Sequence, residues 1–434
     1  MPGDIGPAAG AVPDDAEDSL RHPPARVLVV GLNYQPEPTG IAPYTTSLAE
    51  GLSEAGAAVH VITTYPHYPQ WRILDGYQGR VRHEDVHGVS LTRLRPVLPA
   101  SGGLLARLRM ELVFGLQAAL TPWRQPEVAL LVTPALFSTA LAGWAARLRR
   151  VPTCVWVQDI YSLGISETGR GALLGRLMAV LEGRVLRSAD RVVVIHERFR
   201  RYLVEVLGVE AEKVEVVRNW THLTPVEVPP REETRRRRGW QPDDVVVLHA
   251  GNMGAKQGLE NVVHAARLAR SRGSQVRFVL LGNGNQRARL EELDEQGDAQ
   301  FLEPLSDHEF QATLHAADVL LVNERPGLRE MAVPSKLTSY FSTGLPVIAA
   351  TDAGSITAEE MELSGAGPRV DASSPEQLVA AAELLAADPD LSRSYGSAGQ
   401  AFRDRRLDAR QATSAFSAIL AATRSGRPEV STRR

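Results

Sequence analysis

The sequence predicts an α/β protein built of two doubly wound units, and three observations carry that prediction. Short continuous apolar runs alternate with segments of helical periodicity through the first half, the pattern of parallel strands covered on both faces. The alternation pauses at residues 219–243, where Pro225, Pro229, Pro230 and Pro242 and the run Arg235–Arg238 cluster. It then starts afresh and continues to the last third of the chain. A length of 434 residues agrees, since it is too great for one ordinary core.

The first unit, 25–218, follows a tail of 24 residues rich in Pro, Gly, Ala and Asp, which lacks the positive start and apolar block of a signal peptide. Its strands are expected at 26–31, 58–63, 89–94, 128–132, 153–158 and 191–195, with helical segments such as 45–56 between them. Residues 129–146 are uncharged over 18 positions, near a spanning length. Thr133, Pro134, Ser138 and Thr139 interrupt them, so they read as a buried strand, a loop and a small-residue helix. Segment 103–114 reads as a helix with Leu104, Leu105, Leu108 and Leu112 on one face beside Arg107. It reads first as a core-packing helix with a charged edge, and also fits an amphipathic helix lying on an anionic membrane.

In the 219–243 linker, Glu232 and Glu233 precede the four arginines, which reads as a short solvated helix. The second unit, 244–408, has strands expected at 245–250, 276–282, 299–303, 318–323, 346–350 and 368–371. A last helix, 409–424, is expected to pack back on the first unit, ahead of a tail at 425–434.

The charge balance is −3, so no bulk cationic excess points to nucleic acid. Its distribution is uneven: residues 25–218 hold 22 basic against 17 acidic residues, whereas 219–434 hold 25 against 29. A lone Cys154 excludes a disulfide framework and a cysteine-ligated metal centre, and fits a reducing cytoplasm. Of the 48 basic residues only Lys213, Lys256 and Lys336 are lysines.

Two of those three lysines sit in loops suited to anions. The strand 245–250 runs into Gly251-Asn252-Met253-Gly254-Ala255-Lys256-Gln257-Gly258, and a helix follows with Leu259, Val262, Val263 and Ala266 on one face. Glycines let the backbone turn and approach a ligand, and a helix start offers unpaired N–H groups to a diphosphate. A tight strand–helix turn with a solvated lysine accounts for the same residues. In the second loop, Pro334-Ser335-Lys336 starts a short helix, with Pro in the first turn and Ser as cap. In the first unit, 33–40 ends in Gly40 ahead of a helix. Gln158 and Asp159 end one strand, and His196 and Glu197 end the next. All lie at carboxyl ends of strands, where open α/β sheets bind ligands. Each of these polar groups alone also fits a cap or a satisfied loop residue.

Taken in order, YQPEPTGIAPYTTSLAEGL, WVQDIYS, VVVIHERFRRYL, VEVVRNW, LHAGNMGAKQGLENVV, LLGNGNQRARLEEL and VPSKLTSYFSTGLPVIA resemble the family 4 retaining glycosyltransferases, in particular the WcaI/WbuB type of exopolysaccharide and O-antigen assembly. The resemblance spans residues 26–424 and implies the GT-B architecture, two Rossmann-like domains facing across a cleft. It implies a nucleotide-sugar donor held by the second domain, through Asn252, Gly254, Lys256, Gly282, Glu330, Val333, Ser335, Lys336, Leu337, Thr338 and Ser339, with Gly40 closing over it. Lys256, Lys336 and Asp159 would serve catalysis; Gln158, His196 and Glu197 would hold the acceptor.

The implied acceptor is a polyprenyl-diphosphate-linked saccharide, the implied site cytoplasmic or peripheral on the inner face of the cell membrane. No cofactor and no metal are expected, and the pairs Asp14-Asp15 and Asp243-Asp244 fall in the tail and linker. The sequence departs from the family where two glutamates eight apart would fall on Met331 and Ser339, and where a Gly-Arg pair reads Gly251-Asn252. Transfer to a soluble secondary metabolite and a non-catalytic binding subunit remain alternatives.

Overall fold

The computed structural model describes residues 26–38, 40–98, 104–163, 172–221, 223, 226–327 and 335–425. Its contacts divide the chain into two compact units. The first takes residues 1–162, 176–217 and 409–434, the second 163–175 and 218–408.

The first unit holds β1 (Arg26–Val30), β2 (Ala58–Thr64), β3 (Val81–Val86), β4 (Val89–Leu94), β5 (Val128–Val132), β6 (Thr153–Val157), β7 (Arg191–Val194) and β8 (Val214–Val216). They form one sheet in the order β3-β4-β2-β1-β5-β6-β7-β8. All pairs are parallel except β3 with β4, where Val81 lies opposite Leu94 and Val86 opposite Val89. Sequence reading places no strand at β3. Its residues, VRHEDV, are polar because β3 is a largely exposed edge, and edges are paired and charged rather than apolar. The central strands β5 and β6 are buried along their whole length.

Helices α1 (Ala42–Glu54), α2 (Leu104–Leu120), α3 (Leu136–Arg149), α4 (Ala172–Arg187) and α5 (Glu197–Glu205) cover this sheet. α2 runs beside α3: the Cβ that Gly115 lacks would lie 2.8 Å from the Ser138 backbone, so glycine there permits the close approach. The inner side of α2 buries Met110, Phe114 and Ala118, while Leu105, Leu112, Leu116 and Leu120 stand exposed along its outer side.

The second sheet, β9 (Val245–Ala250), β10 (Val276–Leu281), β11 (Gln300–Leu302), β12 (Val319–Asn323), β13 (Val347–Ala350) and β14 (Arg369–Val370), is wholly parallel in the order β11-β10-β9-β12-β13-β14. Alternate residues of each strand enter different cores. Val247, Phe278, Leu321 and Ile348 join one cluster; Val246, Leu248, Val279, Leu320 and Ala349 join the other. That two-sided burial explains the continuous apolar runs. Around it lie α6 (Arg231–Arg238), α7 (Glu260–Ser271), α8 (Arg287–Leu293), α9 (Asp307–Ala316), α10 (Ser335–Tyr340), α11 (Ile356–Ser364), α12 (Pro375–Ala387) and α13 (Pro389–Arg406).

The 219–243 segment is no free linker. Trp220 is fully buried, and Thr221 donates to the Thr338 carbonyl at 2.6 Å. Nor is the arginine run wholly solvated. Arg235 is buried, donates to the Ala316 carbonyl and Asp318 at 3.1 and 3.0 Å, and reaches the Gln241 and Asp244 carbonyls at 2.9 and 2.6 Å. Composition alone cannot tell the buried Arg235 from its exposed neighbours Arg236 and Arg237.

The last helix, α14 (Ala409–Ser425), packs within the first unit on α1, β5 and β6. Phe416 is fully buried with its ring 4.8 Å from that of Trp156, and Arg424 pairs with Glu127 at 3.0 Å.

Candidate functional site

In the second unit the strand order reverses between β9 and β12, where open α/β sheets bind ligands at the carboxyl ends. After β9 the chain passes through Gly251, at φ +129°, into a loop pinned by short backbone bonds. Gly251 N–H donates to the Leu281 carbonyl at 2.8 Å and Met253 N–H to the Asn283 carbonyl at 2.9 Å. A Cβ on Gly282 would lie 2.1 Å from the Gly251 carbonyl oxygen, so these two loops meet backbone to backbone. Ala255–Gln257 form one 3₁₀ turn, and Gln257 Oε1 accepts from Gly254 N–H at 3.1 Å. Asn252 and Lys256 are exposed, and the Lys256 carbonyl accepts from Arg325 N–H at 2.8 Å, joining this loop to the one after β12. Asn323 fastens the same junction, donating to the Gln257 and Gly258 carbonyls at 2.8 and 3.0 Å.

Lys336 enters this junction from α10. Ser335 is the first helical residue, not a cap preceding the helix; its carbonyl accepts from Thr338 Oγ1 at 2.7 Å. The Lys336 Nζ lies 3.0 Å from Nε2 of His249, a fully buried residue of β9, and its Cε would be 2.9 Å from a Cβ on Gly251. Burial pushes the Lys336 amine down to about 7, against a smaller upward pull from Glu324. Tyr340, also of α10, accepts from Ala250 N–H at 2.8 Å and so docks the helix against the end of β9. Leu337, Thr338 and Ser339 are buried. The structure thus brings Asn252, Gly254, Lys256, Gly282, Ser335 and Lys336 to one end of one sheet. Glu330 and Val333 lie outside the described residues.

In the first unit Gly40 adopts φ +72° one residue before Ile41, the cap of α1. The loop ahead of it is organised by Glu37, which is buried and accepts from Asn33 Nδ2, His67 N–H and Tyr68 N–H at 2.7, 2.8 and 2.9 Å. Gln158 is buried and Asp159 exposed at the end of β6. His196 is fully buried and caps α5, its Nδ1 accepting from Arg198 N–H at 3.1 Å, while Glu197 stands exposed in the first turn.

Sequence reading missed the groups around Asp159. Glu182 of α4 is buried and accepts from Tyr161 N–H, Ser162 N–H and Ser162 Oγ at 2.7, 3.0 and 2.6 Å. Glu111 of α2 is fully buried, accepts from Phe137 N–H at 3.1 Å, and lies 3.5 Å from Arg107. Burial raises its carboxyl to about 7. The Arg107 guanidinium stands 5.9 Å from the ring centre of Tyr161. Acids in mid-helix look like surface residues in a sequence; only the tertiary contact reveals them. His249 was hidden the same way, inside an apolar strand. Among the described residues no group of three or more His, Cys, Asp or Glu is arranged to hold a metal ion.

Two doubly wound α/β units, with glycine loops and a half-buried lysine at the switch point of the second, fit the GT-B class of glycosyltransferases. Comparison with known proteins agrees. Residues 39–220 match the model of the glycosyl transferase 4-like domain, and residues 230–402 that of the glycosyl transferases group 1. The chain is 30% identical over 338 residues to the putative colanic acid biosynthesis glycosyl transferase WcaI of Escherichia coli K12, covering 74% of this chain and 81% of that one. It belongs to the family 4 GT-B glycosyltransferases and is WcaI-like. Solved structures of the same fold include sucrose-phosphate synthase of Thermosynechococcus elongatus (TM-score 0.69, 17% identity, 92% and 98% of the two chains). Another is HepE of Anabaena in complex with UDP (0.67, 16%, 92% and 100%).

Proposed function

We propose that the chain transfers a sugar, with retention of anomeric configuration, from a nucleotide-sugar donor to a lipid-linked saccharide in exopolysaccharide or O-antigen-type assembly. The observation that carries this is the junction at the end of β9, where Lys336, Lys256 and the loops at Gly251 and Gly282 converge. Backbone N–H groups and two cations suit a departing diphosphate, whose charge they stabilise most as the glycosidic bond breaks. With that stabilisation from the protein, no metal is required, and the leaving phosphate can take the proton of an acceptor hydroxyl attacking from the same face. The similarity to WcaI, whose name refers to colanic acid biosynthesis, supports a polysaccharide product. The UDP held by HepE supports a nucleoside-diphosphate donor.

The acceptor is assigned to the first unit, with Asp159, Gln158 and Glu197 near the carboxyl ends of its strands. A lipid-linked acceptor calls for contact with a bilayer, and the exposed leucines of α2 beside Arg107 and Arg109 suit an anionic surface. No helix among the described residues is long and apolar enough to cross a membrane. Replacing Lys256 or Lys336 with alanine should lower donor-dependent turnover roughly 10–150-fold each, the loss of one charged hydrogen bond. Turnover assayed in excess EDTA should equal that without it. Full activity in both alanine variants would remove the lysines from catalysis, and loss in EDTA restored by magnesium would show a metal site.

A further inference from the structure

We propose that His249 is a positioning residue for Lys336: locked in one tautomer inside β9, it holds the lysine Nζ over Gly251, where the donor diphosphate would lie. This inference rests on the donor reading given above. It starts from hydrogen-bond logic. His249 Nδ1 is 3.2 Å from the Leu321 carbonyl of β12. A carbonyl can only accept, so Nδ1 carries the proton and Nε2 presents its lone pair. Lys336 Nζ, 3.0 Å away, is then the donor. A protonated ring would set two cations against each other in a buried place. Burial, and after it the Lys336 charge, hold the His249 pKa well below its usual range against smaller upward pulls from backbone hydrogen bonds to Leu321 and Asn252, so the ring stays neutral.

The groups facing Lys336 leave it short of a counter-charge. From β9 it meets His249. Beyond the end of β12 stands Glu324, which pulls at longer range while its own carboxylate accepts from Thr351 and from Thr357, the latter at 2.6 Å. Asp352 acts on Glu324. Tyr340, from the lysine's own helix, is engaged with Ala250. Among the described residues, then, a neutral imidazole holds the amine of a half-buried lysine and no carboxylate touches it. An incoming diphosphate supplies the missing charge. Binding draws the amine into its ammonium form, with one proton taken from solvent where the amine is neutral. His249 fixes the direction in which that ammonium points.

Three lysines in 434 residues make the test direct. Protein labelled with ¹³C at lysine Cε is titrated by NMR from about pH 4.5 to 10, as wild type and as His249→Phe, which fills the volume without an acceptor, and His249→Gln, which restores one. The Lys336 signal, identified by its loss in Lys336→Met, should titrate near neutrality. In H249F its midpoint should fall by about one to two pH units, since an acceptor to the charged form is lost. In H249Q it should return toward wild type. UDP binding is measured in parallel. H249F should weaken it roughly tenfold at pH 8.5 and less at pH 6, where the wild-type lysine is mostly protonated and the variant's partly so.

An unchanged Lys336 midpoint in H249F, or an equal loss of UDP affinity at both pH values, overturns the positioning role and leaves His249 a packing residue. Should H249F not fold, ¹⁵N shifts of the wild-type imidazole decide: a protonated Nδ1 supports the arrangement and a protonated Nε2 overturns it. Failure of the wild type to bind any nucleoside diphosphate would overturn the donor reading instead, since the lysine titration needs no ligand.

Discussion

At the scale of single residues, the buried carboxyl groups include Glu37, Glu111 and Glu182 in the first unit and Glu324 in the second. Glu111 gives a prediction with a definite sign. Its carboxyl is raised to about 7 by burial, against about 4.5 for an exposed glutamate. Between those values the folded chain keeps a proton that the unfolded chain has lost, so stability falls as pH rises through that window. The protonated-state advantage is complete below the ordinary carboxylate range. Glu111→Gln should flatten this dependence. Relative to wild type, it should be about 2–3 kcal/mol more stable at pH 8 than at pH 5, measured by denaturant unfolding. A variant whose difference from wild type is the same at both pH values would show that Glu111 ionises normally.

At the scale of elements, the arginine run of α6 separates function in packing from mere charge. Arg235 binds four backbone or carboxylate acceptors, whereas Arg236 and Arg237 are exposed. Arg235→Ala should cost about 2–3 kcal/mol. That is less than for a fully enclosed pair, because Asp318 keeps 31% of its side chain in water. Arg236→Ala should stay within about 0.5 kcal/mol. Equal effects in thermal unfolding would contradict the assignment.

The outer side of α2 carries a separate expectation. The chain should sediment with anionic vesicles at low salt and be released as salt rises, and Leu112→Glu with Leu116→Glu should abolish that without unfolding the protein. Undiminished binding by the double variant would move the contact off α2. These elements also show what a sequence displays. Apolar parallel strands such as β5, β9 and β12 announce themselves because both faces are buried. The edge strand β3 does not, since half of its surroundings are water. The two loops that carry Lys256 and Lys336 were legible as candidates because lysine is rare in this chain. His249, Glu111 and Glu182 were not, because a histidine in an apolar strand and acids within helices carry no local mark of what they touch.

At the scale of the whole molecule, the chain returns to its first unit at the end. α14 closes against β5 and β6 through Phe416 and Trp156, so the first unit is completed only by the last helix. Before that return, over residues 218–408, the chain builds the sheet that carries the proposed donor site. The central claim is that a nucleoside diphosphate binds at the carboxyl end of β9, beside Lys336. Hydrogen exchange of the full chain, with and without saturating UDP, GDP, dTDP or CMP, tests it most directly. At least one nucleotide should protect amides in 251–258, 282–286 and 335–340, with the strands and helices of the first unit unchanged. Protection confined to the first unit, or none with any of the four, would contradict the account.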